Sequence, residues 1–257
     1  MEKIKNIRKR LRHQRSVRRR KLGLSTPTQI ICVSFIIVIA LGTLLLTLPI
    51  ASRHGRLDVL NAMFTATSAT CVTGLVVRDT WSQFTWFGQA VVLLLIQVGG
   101  LGLVTLTSFF ALAMRRRMGF RDLRLLGESV SADGYDQAKS VLKIVVGLAA
   151  MFEGIGILLL LFAFVPQFGL EGVWISVFTA ISAFCNAGFD LFGRFGAYSS
   201  LAPYVNNYYV QAVIMFMIIS GGLGFMVWVE LCQWYQKRRL SLHAKVVLSF
   251  SVILLSL

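Results

Sequence analysis

The chain has 257 residues, 56% hydrophobic and 14% charged, with a mean hydropathy of +0.72. Soluble domains hold about 45–50% apolar and about 25% charged residues, so a soluble globular domain is excluded and a membrane protein indicated. Lys and Arg number 26 against 11 Asp and Glu, a net charge of +15, but no aromatic residue interleaves the N-terminal arginines for base stacking, which argues against nucleic acid as the partner.

The chain opens with a basic arm, residues 1–27, holding 11 cations; on an anionic inner leaflet each contributes on the order of 1 kcal/mol. Residues 30–48 then run for 19 positions without a charge, about 28 Å as a helix against a hydrocarbon core of roughly 30 Å. That run exceeds the apolar region of a cleaved signal peptide, about 7–15 residues, and predicts a first spanning helix. Long apolar stretches follow at 86–114, 141–164 and 208–234, and a fifth starts near Val246.

Seven cations lie in 115–143 and four in 237–245, whereas the alternate segments hold only Arg53, Arg56, Arg78 and Arg194. The positive-inside rule therefore places the N-terminus and both of these basic loops in the cytoplasm. Trp81, Trp86, Trp174, Tyr204, Tyr208 and Tyr209 would form an outer aromatic belt, and Trp228, Trp234 and Tyr235 an inner one.

Two shorter segments, 57–75 and 171–189, lie between spans of opposite direction. Residues 64–75 (FTATSATCVTGL) overlie 178–189 (FTAISAFCNAGF) at an offset of 114, identical at seven of twelve positions. Downstream, Gly99-Gly100-Leu101-Gly102 overlies Gly221-Gly222-Leu223-Gly224 at an offset of 122. The expected organisation is an all-α polytopic membrane protein built from span–short segment–span units repeated in one orientation. Its parts are the arm 1–27, a first unit 28–114, a cytoplasmic linker 115–139, a second unit 140–235, and a loop with the start of a third unit at 236–257.

A 13-residue helix over 57–69 is about 20 Å long, too short to cross, and would end within the bilayer. Irregular backbone at that depth is tolerated only where protein buries it or it lines a watery cavity. The helix enters N-terminus first, so its C-terminal end, carrying about −0.5 charge, points inward and attracts cations. Gly74 and Gly188 can take the positive φ that turns successive carbonyls toward one axis, where they can replace an ion's water shell. With no Asp or Glu in the matched stretches 64–75 and 178–189, the implied ligand is a monovalent cation rather than Ca²⁺.

The paired SA-x-C-x-x-G segments, each followed by GGLG, resemble the pore-loop repeats of the Trk/Ktr/HKT potassium transporters, and most nearly the membrane subunit of the bacterial Ktr system. The resemblance implies K⁺ uptake through a carbonyl filter built from four repeats. Two of the four are present here, as in an N-terminal half. Thr70, Cys71, Val72, Thr73 and Gly74 would form one quarter of the filter, and Phe184, Cys185, Asn186, Ala187 and Gly188 another. It also implies a homodimer of membrane subunits on a cytoplasmic nucleotide-binding regulatory ring.

Nothing in the chain itself reads as a nucleotide site, and no cofactor beyond the transported K⁺ is expected. Gly99, Gly100, Gly102, Gly221, Gly222 and Gly224 read as sites of close helix packing. Thr65, Ser68, Thr179 and Ser182 are expected to bond within the short helices. Glu153 lies in the third span, where an ionisable group costs about 2.5–3.5 kcal/mol, and reads as either an ion-coupling or a structural carboxyl. An enzyme is not indicated, since Glu153 has no His, Cys or Ser arranged beside it as base and nucleophile. A sodium-permeating carrier and a non-conducting scaffold are the rival readings.

Overall fold

The computed structural model describes residues 27–115, 130–237 and 240–256. The basic arm, most of the linker (116–129) and Arg238-Arg239 lie outside them. Regular structure among the described residues is helical, apart from one isolated antiparallel bridge between Ser52 and Phe84.

In chain order come α1 (Pro27–Leu46), α2 (Val59–Thr70), the single turn α3 (Thr80–Gln83), α4 (Trp86–Arg115), α5 (Val130–Phe168), α6 (Leu170–Phe184), α7 (Tyr208–Gly222), α8 (Phe225–Lys237) and α9 (Leu242–Ser256). A long helix, a short helix, a loop and another helix thus occur twice, as α1–α2–α4 and as α5–α6–α7. The short helix packs on both neighbours in each case, and α6 also reaches α4 of the first unit.

α2 buries Ala62, Ala66 and Ala69, whose small side chains sit on one helical face and let α1 and α4 come close. A Cβ on Gly42 of α1 would stand 2.7 Å from Leu95 Cδ1 and 3.3 Å from Ala66 Cβ. α6 does the same with Gly172, where a Cβ would overlap the Phe164 carbonyl of α5. Phe164, Phe192 and Tyr204 pack with ring centroids 5.2–5.5 Å apart at the loop end of this second unit.

The units differ in how their helices connect. A twelve-residue connection, 47–58, joins α1 to α2, but α5 turns into α6 through Gly169 alone, whose φ of +59° and ψ of −133° form a combination that glycine adopts freely and other residues avoid. The stretch 208–234, expected as one span, is broken. α7 ends at Gly222 and α8 begins at Phe225, with Gly224 at φ +81° between them, and the Trp228 indole donates across the break to the Ser220 carbonyl at 2.8 Å. Gly102, at the matched position, stays inside α4. The third apolar stretch, read as 141–164, reaches from Val130 to Phe168 as one helix.

Lys143–Phe168 is long and apolar enough by itself to cross a membrane; Cys32–Leu46, Trp86–Gly102, Tyr208–Gly222 and Leu242–Leu255 are shorter apolar helices. Ile36, Leu41 and Leu44 of α1, Leu158 and Phe162 of α5 and Phe250 and Leu254 of α9 are all more than half exposed.

Candidate functional site

Each short helix ends in the same way. Cys71 N–H donates to the Thr67 carbonyl, Val72 N–H to Ala69 and Thr73 N–H to Ser68; 114 residues on, Cys185 donates to Ile181, Asn186 to Ala183 and Ala187 to Ser182. The last two bonds of each set are the i→i−3 and i→i−5 pair of a Schellman cap, which needs a left-handed residue just past the helix. Val72 (φ 56°) and Asn186 (φ 57°) supply it. Asparagine tolerates that region, whereas a β-branched valine there is an outlier that costs about 1–2 kcal/mol.

Two residues further, Gly74 and Gly188 both have φ +73°. Both loops therefore run positive, negative, positive in φ over three residues. They also meet: a Cβ on Gly74 would lie 2.7 Å from the Ala187 carbonyl oxygen and 3.4 Å from Gly188 Cα. The last residues of the two short helices, Thr70 and Phe184, stand at the heads of these loops, so the negative ends of two helix dipoles converge on one region.

The helical glycines back the loops. A Cβ on Gly99 would overlap the Thr70 carbonyl, and one on Gly221, the matched glycine, would overlap the Phe184 carbonyl. Gly100 lies against the neighbouring unit, where a Cβ would stand 2.6 Å from Cys185 Sγ. Gly222 meets only Asn186 Nδ2, at 4.0 Å, and Gly102 meets Phe35 at 3.5 Å. Gly99, Gly100 and Gly221 therefore leave no room for a side chain, whereas Gly224 sits at a backbone break.

Hydroxyls tie the loops to the helices. Thr65 does bond within its helix, to Asn61 at 2.9 Å, but the two matched serines do not. Ser68 Oγ bonds Thr73 Oγ1 at 2.9 Å, and Ser182 donates to the Phe189 carbonyl at 2.6 Å. The expectation of bonds inside the short helices fails for both serines, because each sits in the last turn, where the chain doubling back comes within reach. Thr179 Oγ1 is buried without a partner among the described residues.

Two cavities adjoin the loops. One of about 100 Å³ touches Val72, Gly100, Cys185 and Phe225; the other, of about 210 Å³, touches Thr179, Asn186, Gly188, Asp190 and Ser200. Burial raises the Asp190 carboxyl above its ordinary range, and nearby Asp79 adds to this, against the bond donated by Phe192 N–H. Asp79 caps α3 through Ser82 N–H at 2.8 Å and accepts from Tyr198 N–H of the second unit at 3.2 Å. Arg53 and Arg194 both stand over the Trp81 ring, at 5.1 and 5.4 Å.

Glu153 lies in α5 and is buried, with Gln97 Nε2 of α4 donating to its Oε1 at 2.8 Å. The sequence reading missed Gln97, although a lone amide inside an apolar run was a signal. It also missed the strain at Val72, for which the sequence carries none. Among the described residues no cluster of His, Cys, Asp and Glu could hold a metal ion.

Comparison with known proteins decides the family. The TrkH family, described as cation transport proteins, matches residues 4–256. The chain belongs to the TrkH family. It is a family of transporters, not of enzymes. The chain is 37% identical over 232 residues to the potassium/sodium uptake protein NtpJ of Enterococcus hirae, covering 90% of this chain and 50% of that protein. It is also 37% identical over 230 residues to the Ktr system potassium uptake protein B of Bacillus subtilis, covering 89% and 50%. The protein of that name from Vibrio alginolyticus is 36% identical over 230 residues, covering 88% and 49%. The chain spans about half the length of these curated relatives.

Proposed function

We propose that this chain supplies two quarters of a K⁺ uptake pore in the cell membrane. Thr70, Cys71, Val72, Thr73 and Gly74 form one quarter of a backbone-carbonyl filter, and Phe184, Cys185, Asn186, Ala187 and Gly188 a second. On this reading α2 and α6 are re-entrant helices of two span–pore loop–span units, 28–114 and 140–235. The N-terminus, the linker 115–139 and the loop beginning at 236 are cytoplasmic.

One observation carries the proposal: two loops 114 residues apart share the same run of positive, negative and positive φ and touch at their glycines. Such alternation turns neighbouring carbonyls toward a common side, and a ring of carbonyls can exchange for the hydration shell of a monovalent cation. Two helix C-terminal ends add negative potential at the same place. The exposed apolar side chains on α1, α5 and α9 suit lipid as the solvent, since patches of that extent are uncommon on soluble monomers.

The Ktr-type relatives, named as parts of a system, support a partner subunit; on the family resemblance it is a cytoplasmic nucleotide-binding regulatory subunit beneath a homodimer in lipid. Ion-substitution flux tests the reading. In cells deprived of other K⁺ uptake, rubidium entry should exceed sodium entry severalfold; equal entry of the two ions would overturn K⁺ selectivity. It would favour a second reading, a sodium-permeating carrier, which the name of the Enterococcus relative supports.

A further inference from the structure

The hydrogen bond from Gln97 Nε2 to Glu153 Oε1 joins the two units at the depth of their loops. Gln97 precedes Gly99 by two residues and Gly100 by three, and those glycines press against the Thr70 carbonyl and the Cys185 thiol. On the other side of the bond, Phe152 next to Glu153 stacks on Phe184 with ring centroids 5.9 Å apart and planes 16° apart. The Phe184 carbonyl in turn lies where a Cβ on Gly221 would stand. A single polar contact thus links the helix that backs the first loop to the helix that packs behind the second. The 122-residue offset takes Gln97 to Ile219, so this amide is not repeated in the second unit.

The pairing is also half complete. Gln97 Oε1 is buried and has no hydrogen-bond partner among the described residues, whereas Nε2 is engaged. A carboxyl or carboxamide facing an amide can satisfy both ends, accepting from its N–H and donating to its oxygen. The contact therefore depends on hydrogen-bonding shape, which a glutamine at position 153 would retain.

Resting on the filter reading above, we propose that Glu153 and Gln97 are positioning residues that set the spacing of the two loops, and hence K⁺ over Na⁺ discrimination, by hydrogen bonding and not by charge. Glu153 is then not an ion-coupling carboxylate.

The test compares Glu153→Gln, Glu153→Leu, Gln97→Leu and the double leucine variant, reading rubidium and sodium fluxes. Glu153→Gln should keep the rubidium-to-sodium ratio within about twofold. Either leucine variant should lower it by up to about tenfold, the scale of a lost buried hydrogen bond, and the double variant should be no worse than the single ones, as for two partners of one contact. If Glu153→Gln loses uptake as fully as Glu153→Leu, charge is the operative property and the inference falls. It falls equally if all variants keep the wild-type ratio.

A wild-type protein that passes both ions alike would sink the filter reading instead. The tie would then be judged by melting of the purified protein, where additive effects of the two leucine substitutions would overturn it.

Discussion

Replacing the two loop glycines one at a time separates backbone strain from loop-to-loop contact. Gly74 and Gly188 share φ +73°, so alanine at either position meets the same left-handed penalty, about 1–2 kcal/mol. The space around them differs. A Cβ at 188 would come no nearer than 3.4 Å, to Gly74 Cα, an ordinary contact, whereas a Cβ at 74 would stand 2.7 Å from the Ala187 carbonyl oxygen. No side chain can yield there, so the second loop itself must move. Gly188→Ala should therefore lower stability by the strain alone, shifting the folded population about 5- to 30-fold, with a modest fall in the rubidium-to-sodium ratio. Gly74→Ala should lower stability further and reduce the ratio as well, because it displaces a carbonyl of the opposite loop. Flux of both ions alongside melting in detergent measures the two effects. Wild-type rate and ratio from both variants would refute the filter assignment, and a larger defect at 188 than at 74 would refute the geometry.

Gly99→Ala and Gly221→Ala each drive a methyl into a carbonyl oxygen and should cost about 1–3 kcal/mol as overpacking. Gly154→Ala, which meets nothing within 4 Å in α5, should gain about 0.5–1 kcal/mol; melting temperatures in that order support the packing role. Gly224→Ala, at φ +81°, should lower the melting temperature while Gly102→Ala does not, despite their matched positions. Asp190 binds its proton more tightly folded than unfolded, because burial and Asp79 disfavour its charge. Its contribution to stability is thus fullest at acid pH and declines as pH rises above about 4, the unfolded value. Asp190→Asn keeps an acceptor for Phe192 N–H, 2.9 Å away, and should abolish that decline, matching wild type at acid pH and melting higher at neutral pH.

The likeness of the two loops was legible because sequence identity and backbone conformation fall on the same positions. The SA-x-C-x-x-G match foretold where the short helices end, and Gly74 and Gly188 foretold where positive φ is needed. Val72 was not legible: its matched Asn186 tolerates the left-handed region, but valine gives no such sign, and only the Thr73-to-Ser68 bond reveals the cap that holds it there. The break at Gly224 was hidden for the opposite reason, since Gly102 sits in an identical GGLG string yet remains helical. Tertiary surroundings decide between those outcomes: Trp228, reaching back to Ser220, closes a break that has no counterpart in the first unit. The Gln97–Glu153 and Tyr198–Asp79 bonds were likewise beyond sequence reasoning, because each crosses between units.

The contact between the units makes them unequal in how well they are covered. On α4, Trp86 packs on Trp174 of α6 with ring centroids 5.6 Å apart, and the Trp174 indole donates to the fully buried Gln89 Oε1 at 2.8 Å. Val92 and Ile96 below them are buried completely. The offset of 122 carries these positions to Tyr208, Gln211, Ile214 and Ile218 on α7, where Ile214 is buried but Tyr208 is 82% and Ile218 42% exposed. Melting of this chain should therefore respond at the Trp86–Trp174 contact and not at Tyr208. Trp174→Phe keeps the ring but leaves the Gln89 acceptor without its donor, a loss of about 1–3 kcal/mol. Tyr208→Phe should change stability by no more than about 0.5 kcal/mol. Equal shifts from the two variants would mean that α6 does not cover α4 as described, and with it would go the contact that brings Gly100 to Cys185 and the first loop to the second.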